Sequence, residues 1–128
     1  MIQYSGADIN FSLEDKVAII TGGAAGIGRA TAEFFVKKGV KVVIADLNSN
    51  AHEIAQSLSE DCIGVSGDIT KEDYRLAVIQ KASAQYGTID ILVNCAGIVA
   101  LDHAETISDK MWESTIAVNL TSSFKMAQ

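Results

Sequence analysis

The sequence predicts an α/β fold, a doubly wound parallel sheet with helices on both faces. Short apolar, β-branched runs alternate about four times with helical segments that carry an apolar face. The first run ends in a cluster of glycines. No linker, repeat or low-complexity stretch interrupts the series, so a single domain over residues 13–128 suffices. Right-handed crossovers leave few arrangements of such units, and the strand order 3-2-1-4 is the simplest.

The elements follow in order. Residues 1–12 are polar and aperiodic and read as a tail. Val17–Thr21 (VAIIT) is a strand buried on both faces. Ile27, Ala30, Thr31, Phe34 and Phe35 recur at helical spacing and mark one helix face. Lys37, Lys38 and Gly39 close that helix with a basic last turn and a glycine cap. Residues 40–45 (VKVVIA) form a second buried strand. Ala51, Ile54, Ala55 and Leu58 mark a second helix, and residues 62–65 a short third strand. Thr70 can cap a helix over residues 71–86, which Gly87 ends. Residues 89–93 are a fourth strand, followed by a loop over 95–108. Ser108 can cap a last helix with Trp112, Ile116, Leu120 and Ser123 on one face. The final residues, SSFKMAQ, hold no Gly, Asn or Pro stop signal, so the domain is expected to break off within this helix.

Composition excludes several functions. The net charge of -6 argues against nucleic acid or an anionic membrane as main partner, because both need clustered Lys and Arg. The cations here are scattered singly. Cys62 and Cys95 fit no metal spacing and read as free thiols. No basic region followed by an apolar run opens the chain, so no signal peptide is expected. No apolar stretch approaches the roughly 18 residues of a membrane span. A cytoplasmic location is the expectation.

The chemistry sits on Thr21-Gly22-Gly23-Ala24-Ala25-Gly26-Ile27-Gly28, between a strand and a helix. Gly22 lets the backbone turn sharply as it leaves the sheet. Gly26, with no side chain, lets a pyrophosphate approach the backbone amides. Gly28 lets the helix pack closely on the strand. Unpaired amides and the dipole at the helix start then hold the phosphate charge. Asp46 ends the second strand about 20 residues past the glycines, placed to accept hydrogen bonds from the adenosine ribose and to repel a 2′-phosphate. Ala25 supplies no cation for such a phosphate. The cofactor expected is therefore NAD. Asp46 also suits a plainer role, as the polar start of the turn Asp46-Leu47-Asn48-Ser49.

These residues carry a resemblance. Thr21-Gly22-x-x-x-Gly26-x-Gly28 resembles the cofactor motif of the classical short-chain dehydrogenase/reductase family. Asp68-Ile69 looks like the family's adenine-contacting pair. Asn94-Cys95-Ala96-Gly97 looks like its Asn-Asn-Ala-Gly stretch, and Asn119 like its catalytic-tetrad asparagine. Leu13-Glu14-Asp15-Lys16-Val17 resembles the family's entry into the first strand. The likeness runs from about Phe11 to the last residue. It implies a Rossmann-type sheet of which about four strands are present. It also implies a cofactor held by Thr21, Gly22, Gly26, Ile27, Gly28, Asp46, Leu47, Asp68, Ile69, Asn94, Ala96 and Gly97, with Asn119 catalytic and no metal.

In that family a Tyr, lowered in pKa by a Lys, exchanges a proton with the substrate hydroxyl, and a Ser positions that oxygen. The tetrad Asn holds a water that links the Lys to solvent. The chain departs from this pattern, because Tyr4, Tyr74 and Tyr86 are followed four residues later by Asp8, Val78 and Asp90, never by Lys. Family members are also about twice this length, so the resemblance is to a front half. Cys95 replaces the usual second Asn and is expected to act as a small apolar residue.

The expected activity is an NAD-dependent oxidoreductase acting on a small alcohol or carbonyl substrate. Residues 98–101 (IVAL) and 124–128 (FKMAQ) look like members acting on polyols or sugars. A non-catalytic NAD-binding module and a structural subunit stand as alternatives. Ile98 is placed to border the nicotinamide ribose, and His103 reads as a solvated loop residue. Met111 and Trp112 suit either the subunit interface of a homo-oligomer or packing on their own sheet. Ser122 and Ser123 lie too close to Asn119 to be the catalytic Ser.

Overall fold

The computed structural model describes residues 12–128. The tail, the Phe11 end of the resemblance and Tyr4 lie outside them. Four parallel strands, β1 (Val17–Thr21), β2 (Lys41–Asp46), β3 (Ile63–Ser66) and β4 (Ile91–Asn94), form one sheet in the order β3-β2-β1-β4. The predicted strand order holds; β1 has the predicted bounds and those of the other three strands are shifted by one or two residues. β1 is central, with Ala18 opposite Val42 on one side and Ile91 on the other.

The two-residue period of a strand sorts the core into two layers. Ala18, Ile20, Val42 and Ile44 face helices α1 (Gly26–Lys37) and α2 (Ala51–Leu58), where they pack with Ala32 and Ala55. Ile19, Val43 and Ala45 face the other way, against Val78 and Ala82 of α3 (Glu72–Tyr86) and Met126. All five residues of β1 are buried, as a strand covered on both faces requires.

The predicted face of α1 is corrected by one position. The helix buries Gly28 and Ala32, with Phe35 and Val36 packed on the same core layer. Ile27 is 81% exposed and Phe34 52%. Small residues win the inward stripe because the helix must approach the sheet closely just after the glycine turn. A reading that counts only large apolar side chains passes over them.

The last helical segment differs too. It comprises α4 (Asp109–Ile116), a π-helical turn (Ala117–Thr121) and α5 (Ser122–Ala127). Its inward residues are Ser122 and Met126, with Val118 packed on that layer. Trp112 and Leu120 of the predicted face are 59% and 62% exposed. Packing of Trp112 on its own sheet is thereby set aside. Ser108 caps α4 as predicted, accepting a hydrogen bond from Met111 N. Thr70 does not cap α3. Its amide and hydroxyl both donate to Asp68 Oδ1 instead, and Lys71 takes the cap position. Gly39 and Gly87 follow α1 and α3 with φ of 78° and 79°, the left-handed conformation expected of them.

Candidate functional site

A groove of about 460 Å³ opens at the carboxyl ends of the strands, where the order reverses between β1 and its two neighbours. Such switch points are where open α/β sheets bind ligands. The sequence-predicted cofactor contacts line it, except Thr21 and Asn94.

The glycine turn forms its floor. Gly22 has φ +66°, and its amide donates to Ala45 O at 2.8 Å. A Cβ there would stand 2.8 Å from Ala96 N and Cys95 C, so only glycine lets the turn pass the chain leaving β4. Gly26 has φ +55° and nothing within 4 Å of where its Cβ would be. That space borders the start of α1, where no side chain caps the helix. The first helical bond is Arg29 N to Ala25 O, so the amides of Gly26, Ile27 and Gly28 have no partner within the helix. At Gly28 a Cβ would collide with the Gly22 carbonyl oxygen. These features fit a pyrophosphate, which needs bare amides and an approach clear of side chains.

Asp46 sits at the far end. Its Oδ2 accepts from Ala24 N and its Oδ1 from Asn48 N, each at 2.9 Å. The residue therefore starts the predicted turn and at the same time ties β2 to the glycine loop. Asp68 lines the same end, and its hydrogen bonds from Thr70 hold its carboxyl below the usual carboxylate range.

Thr21 and Asn94 lie elsewhere for a physical reason. Thr21 is 1% exposed, and its Oγ1 accepts from Cys95 N and Ala96 N at 3.2 and 3.1 Å. It braces the loop after β4 from beneath. Asn94 ends β4 and pairs in register with Thr21. Asn119 lies in the π-helical turn, where its Oδ1 accepts from Ile98 N and its Nδ2 donates to Ile98 O, both at 2.8 Å. Those two bonds clasp the loop that carries Ala96 and Gly97. Cys95 is half-buried and lines the groove, rather than lying fully within the core. Gly67 and Tyr74 also line it, and neither is marked by the sequence motifs.

Residues 16–128 match the family model for short chain dehydrogenases. The chain belongs to the short-chain dehydrogenase family. It is 38% identical over 126 residues to an NAD-dependent glycerol dehydrogenase of Listeria innocua, covering 98% of this chain and 50% of the relative. It is 39% identical over 125 residues to a D-threitol dehydrogenase of Mycolicibacterium smegmatis, covering 94% and 48%. A crystal structure of 3-ketoacyl-(acyl-carrier-protein) reductase from Brucella melitensis complexed with NADH superposes with a TM-score of 0.85 at 34% identity, over 91% of this chain and 49% of that one. The chain spans about half the length of the curated relatives it matches.

In this short-chain dehydrogenase the described tyrosines are structural. Tyr74 donates its hydroxyl to Val65 O, and Tyr86 donates to Asp61 O. Burial pushes both phenols up to about 12, opposite to the lowering a proton-exchanging Tyr requires. Each phenol's folded value lies above the ordinary 10.0. Their contribution to stability is therefore complete below pH 10 and fades as pH rises towards 12. Ultraviolet titration of phenolate should show both ionising late, together with alkaline loss of helical circular dichroism. Ionisation of every described tyrosine near pH 10 in the folded protein would contradict this.

Among the described residues no group of three or more His, Cys, Asp or Glu could hold a metal, and no helix is long and apolar enough to cross a membrane.

Proposed function

We propose that this short-chain dehydrogenase is an NAD-dependent oxidoreductase acting on a secondary alcohol or its carbonyl product, with a polyol or sugar as the substrate class. One observation carries the reading: clear space at Gly26, beside the uncapped start of α1, shares a groove with the Asp46 carboxylate. A dinucleotide needs both features, a phosphate seat and a ribose acceptor, a short distance apart.

When bound, the nicotinamide would supply the hydride chemistry. The chain's own residues bind and orient. Gly26, Ile27 and Gly28 offer amides to the pyrophosphate, and Asp46 with Leu47 meets the adenosine ribose. Asp68 and Ile69 flank the adenine. Ala96 and Gly97, held by Thr21 and Asn119, border the nicotinamide half. Asn119 is the proposed catalytic member, its side chain held by Ile98. The glycerol and threitol dehydrogenase relatives support the polyol class. Assembly as a homo-oligomer in the cytoplasm is part of the same proposal. The exposed Trp112, Leu120 and Phe124 offer apolar surface for a subunit contact.

Calorimetry with NAD and NADP on the full protein, paired with an assay on glycerol and threitol, tests the reading. NAD should bind more tightly, and NADH should accumulate with a polyol. Absence of binding by either cofactor would remove the proposal. A polypeptide limited to residues 1–128 carries no Tyr-x-x-x-Lys and should show no turnover. Measurable turnover by it would mean the proton donor lies among these residues. NAD bound without turnover by the full protein would favour the non-catalytic module.

A further inference from the structure

Tyr74 stands in the first turn of α3 and lines the groove, although its sequence context marks it only as a helical residue. Its ring lies against Gly67, where any Cβ would collide with the ring carbons. The ring also packs on the core layer that holds Ala45 and Ile69. The hydroxyl donates to Val65 O at 2.5 Å and stands 3.5 Å from Asp46 O. That same Asp46 carbonyl accepts from Gly67 N at 2.8 Å. The last rungs of the β2–β3 ladder, Ala45 with Val65 and Asp46 with Ser66, are thus gathered under one phenol. The Asp46 carboxylate itself accepts from Ala24 N and Asn48 N.

We propose that Tyr74 is a specificity-positioning residue for the adenosine half of the groove. Its hydroxyl clasps the strand ends that present Asp46, and its ring walls the space next to Gly67 and Asp68. The inference rests on the dinucleotide reading of the groove. It assigns two separable tasks to one side chain. The ring limits how far the adenine can sink towards β3. The hydroxyl fixes the height of the Asp46 carboxylate, and so the discrimination between a ribose hydroxyl and a 2′-phosphate. Burial keeps this phenol protonated well above neutral pH, so the donor is present wherever the protein works.

The test uses the full protein, with AMP, nicotinamide mononucleotide, NAD and NADP as calorimetric probes. Tyr74→Phe keeps the ring and loses the hydroxyl. It should hold AMP affinity within about twofold while the NAD-over-NADP preference falls roughly fivefold. Tyr74→Leu should weaken AMP roughly tenfold and leave nicotinamide mononucleotide unchanged. In an Asp46→Ala background, Tyr74→Phe should no longer alter the preference, because the two residues act as one unit. Wild-type AMP affinity and preference in both variants would overturn the proposal. Equal weakening of AMP and nicotinamide mononucleotide would also overturn it, since that reports general loosening. Should Tyr74→Leu fail to fold, the Tyr74→Phe preference still decides. A wild-type protein that binds neither NAD nor AMP would instead overturn the dinucleotide reading, and this inference with it.

Discussion

Replacing Asp46 by Ala together with Leu47 by Arg should turn cofactor preference from NAD towards NADP. In the proposed binding mode the carboxylate lies at the end of the groove that takes the 2′ position, and Ala25, which also lines the groove, supplies no cation. The double change removes a repulsion and adds a charged donor. Charged hydrogen bonds are worth roughly 1.5–3 kcal/mol, so the NADP-to-NAD affinity ratio should rise by about tenfold or more. The same change deletes the acceptor for Ala24 N and Asn48 N. A loss of about 1–3 kcal/mol in stability should accompany it, as the part-buried Ala24 amide loses its partner. The affinity ratio, rather than either affinity alone, is the quantity to measure. An unchanged ratio would leave Asp46 with the turn alone.

Gly26→Ala and Gly28→Ala should fail in opposite ways. At Gly28 the new Cβ meets the Gly22 carbonyl oxygen, so α1 must shift away from the sheet. Overpacking of this kind costs roughly 1–3 kcal/mol. Tm should drop by roughly 3–6 °C per kcal/mol lost in a domain of this size. At Gly26 nothing obstructs a Cβ, and only its φ of +55° opposes alanine. That strain costs about 1–2 kcal/mol. Yet in the proposed binding mode the methyl would occupy the open space through which a pyrophosphate approaches the amides. Gly26→Ala should therefore remain folded and bind NAD at least roughly tenfold more weakly. Thermal melts and NAD titrations on both variants separate the cases. Unimpaired NAD affinity in Gly26→Ala would show that the phosphates sit elsewhere.

What could be read from the sequence was whatever depends on local pattern. Strands β1 and β2 announce themselves as unbroken apolar runs, and strand order follows from the handedness of crossovers. The glycine turn is legible because each glycine answers a backbone need. The inward faces of α1 and α5 are not, because Gly28, Ala32 and Ser122 carry little apolar signal, which leaves Met126 as the one large apolar residue buried on α5. Thr70 suits a cap by its residue type, yet its own amide and hydroxyl both donate to Asp68 two residues before it. Thr21 and Asn94 fall in the motif but do not line the groove, and Thr21 is buried with its hydroxyl taken by the Cys95 and Ala96 amides. Tyr74 and Gly67 were invisible for a different reason. Their place in the groove depends on β3 lying beside β2, a pairing that no short window contains.

The central position of β1 has a consequence for how the polypeptide is made. Val17 is bonded to the carboxylate of Asp90, which follows it by 73 residues. Until the ribosome has delivered residues 91–94, β1 can pair with β2 but keeps its other edge bare. An unbroken apolar strand with an open edge is a template for misassociation. At synthesis rates of roughly 5–20 residues per second, that interval lasts several seconds. The nascent chain thus passes through a stage in which its most apolar segment needs shelter, and a translation pause before β4 would lengthen that exposure.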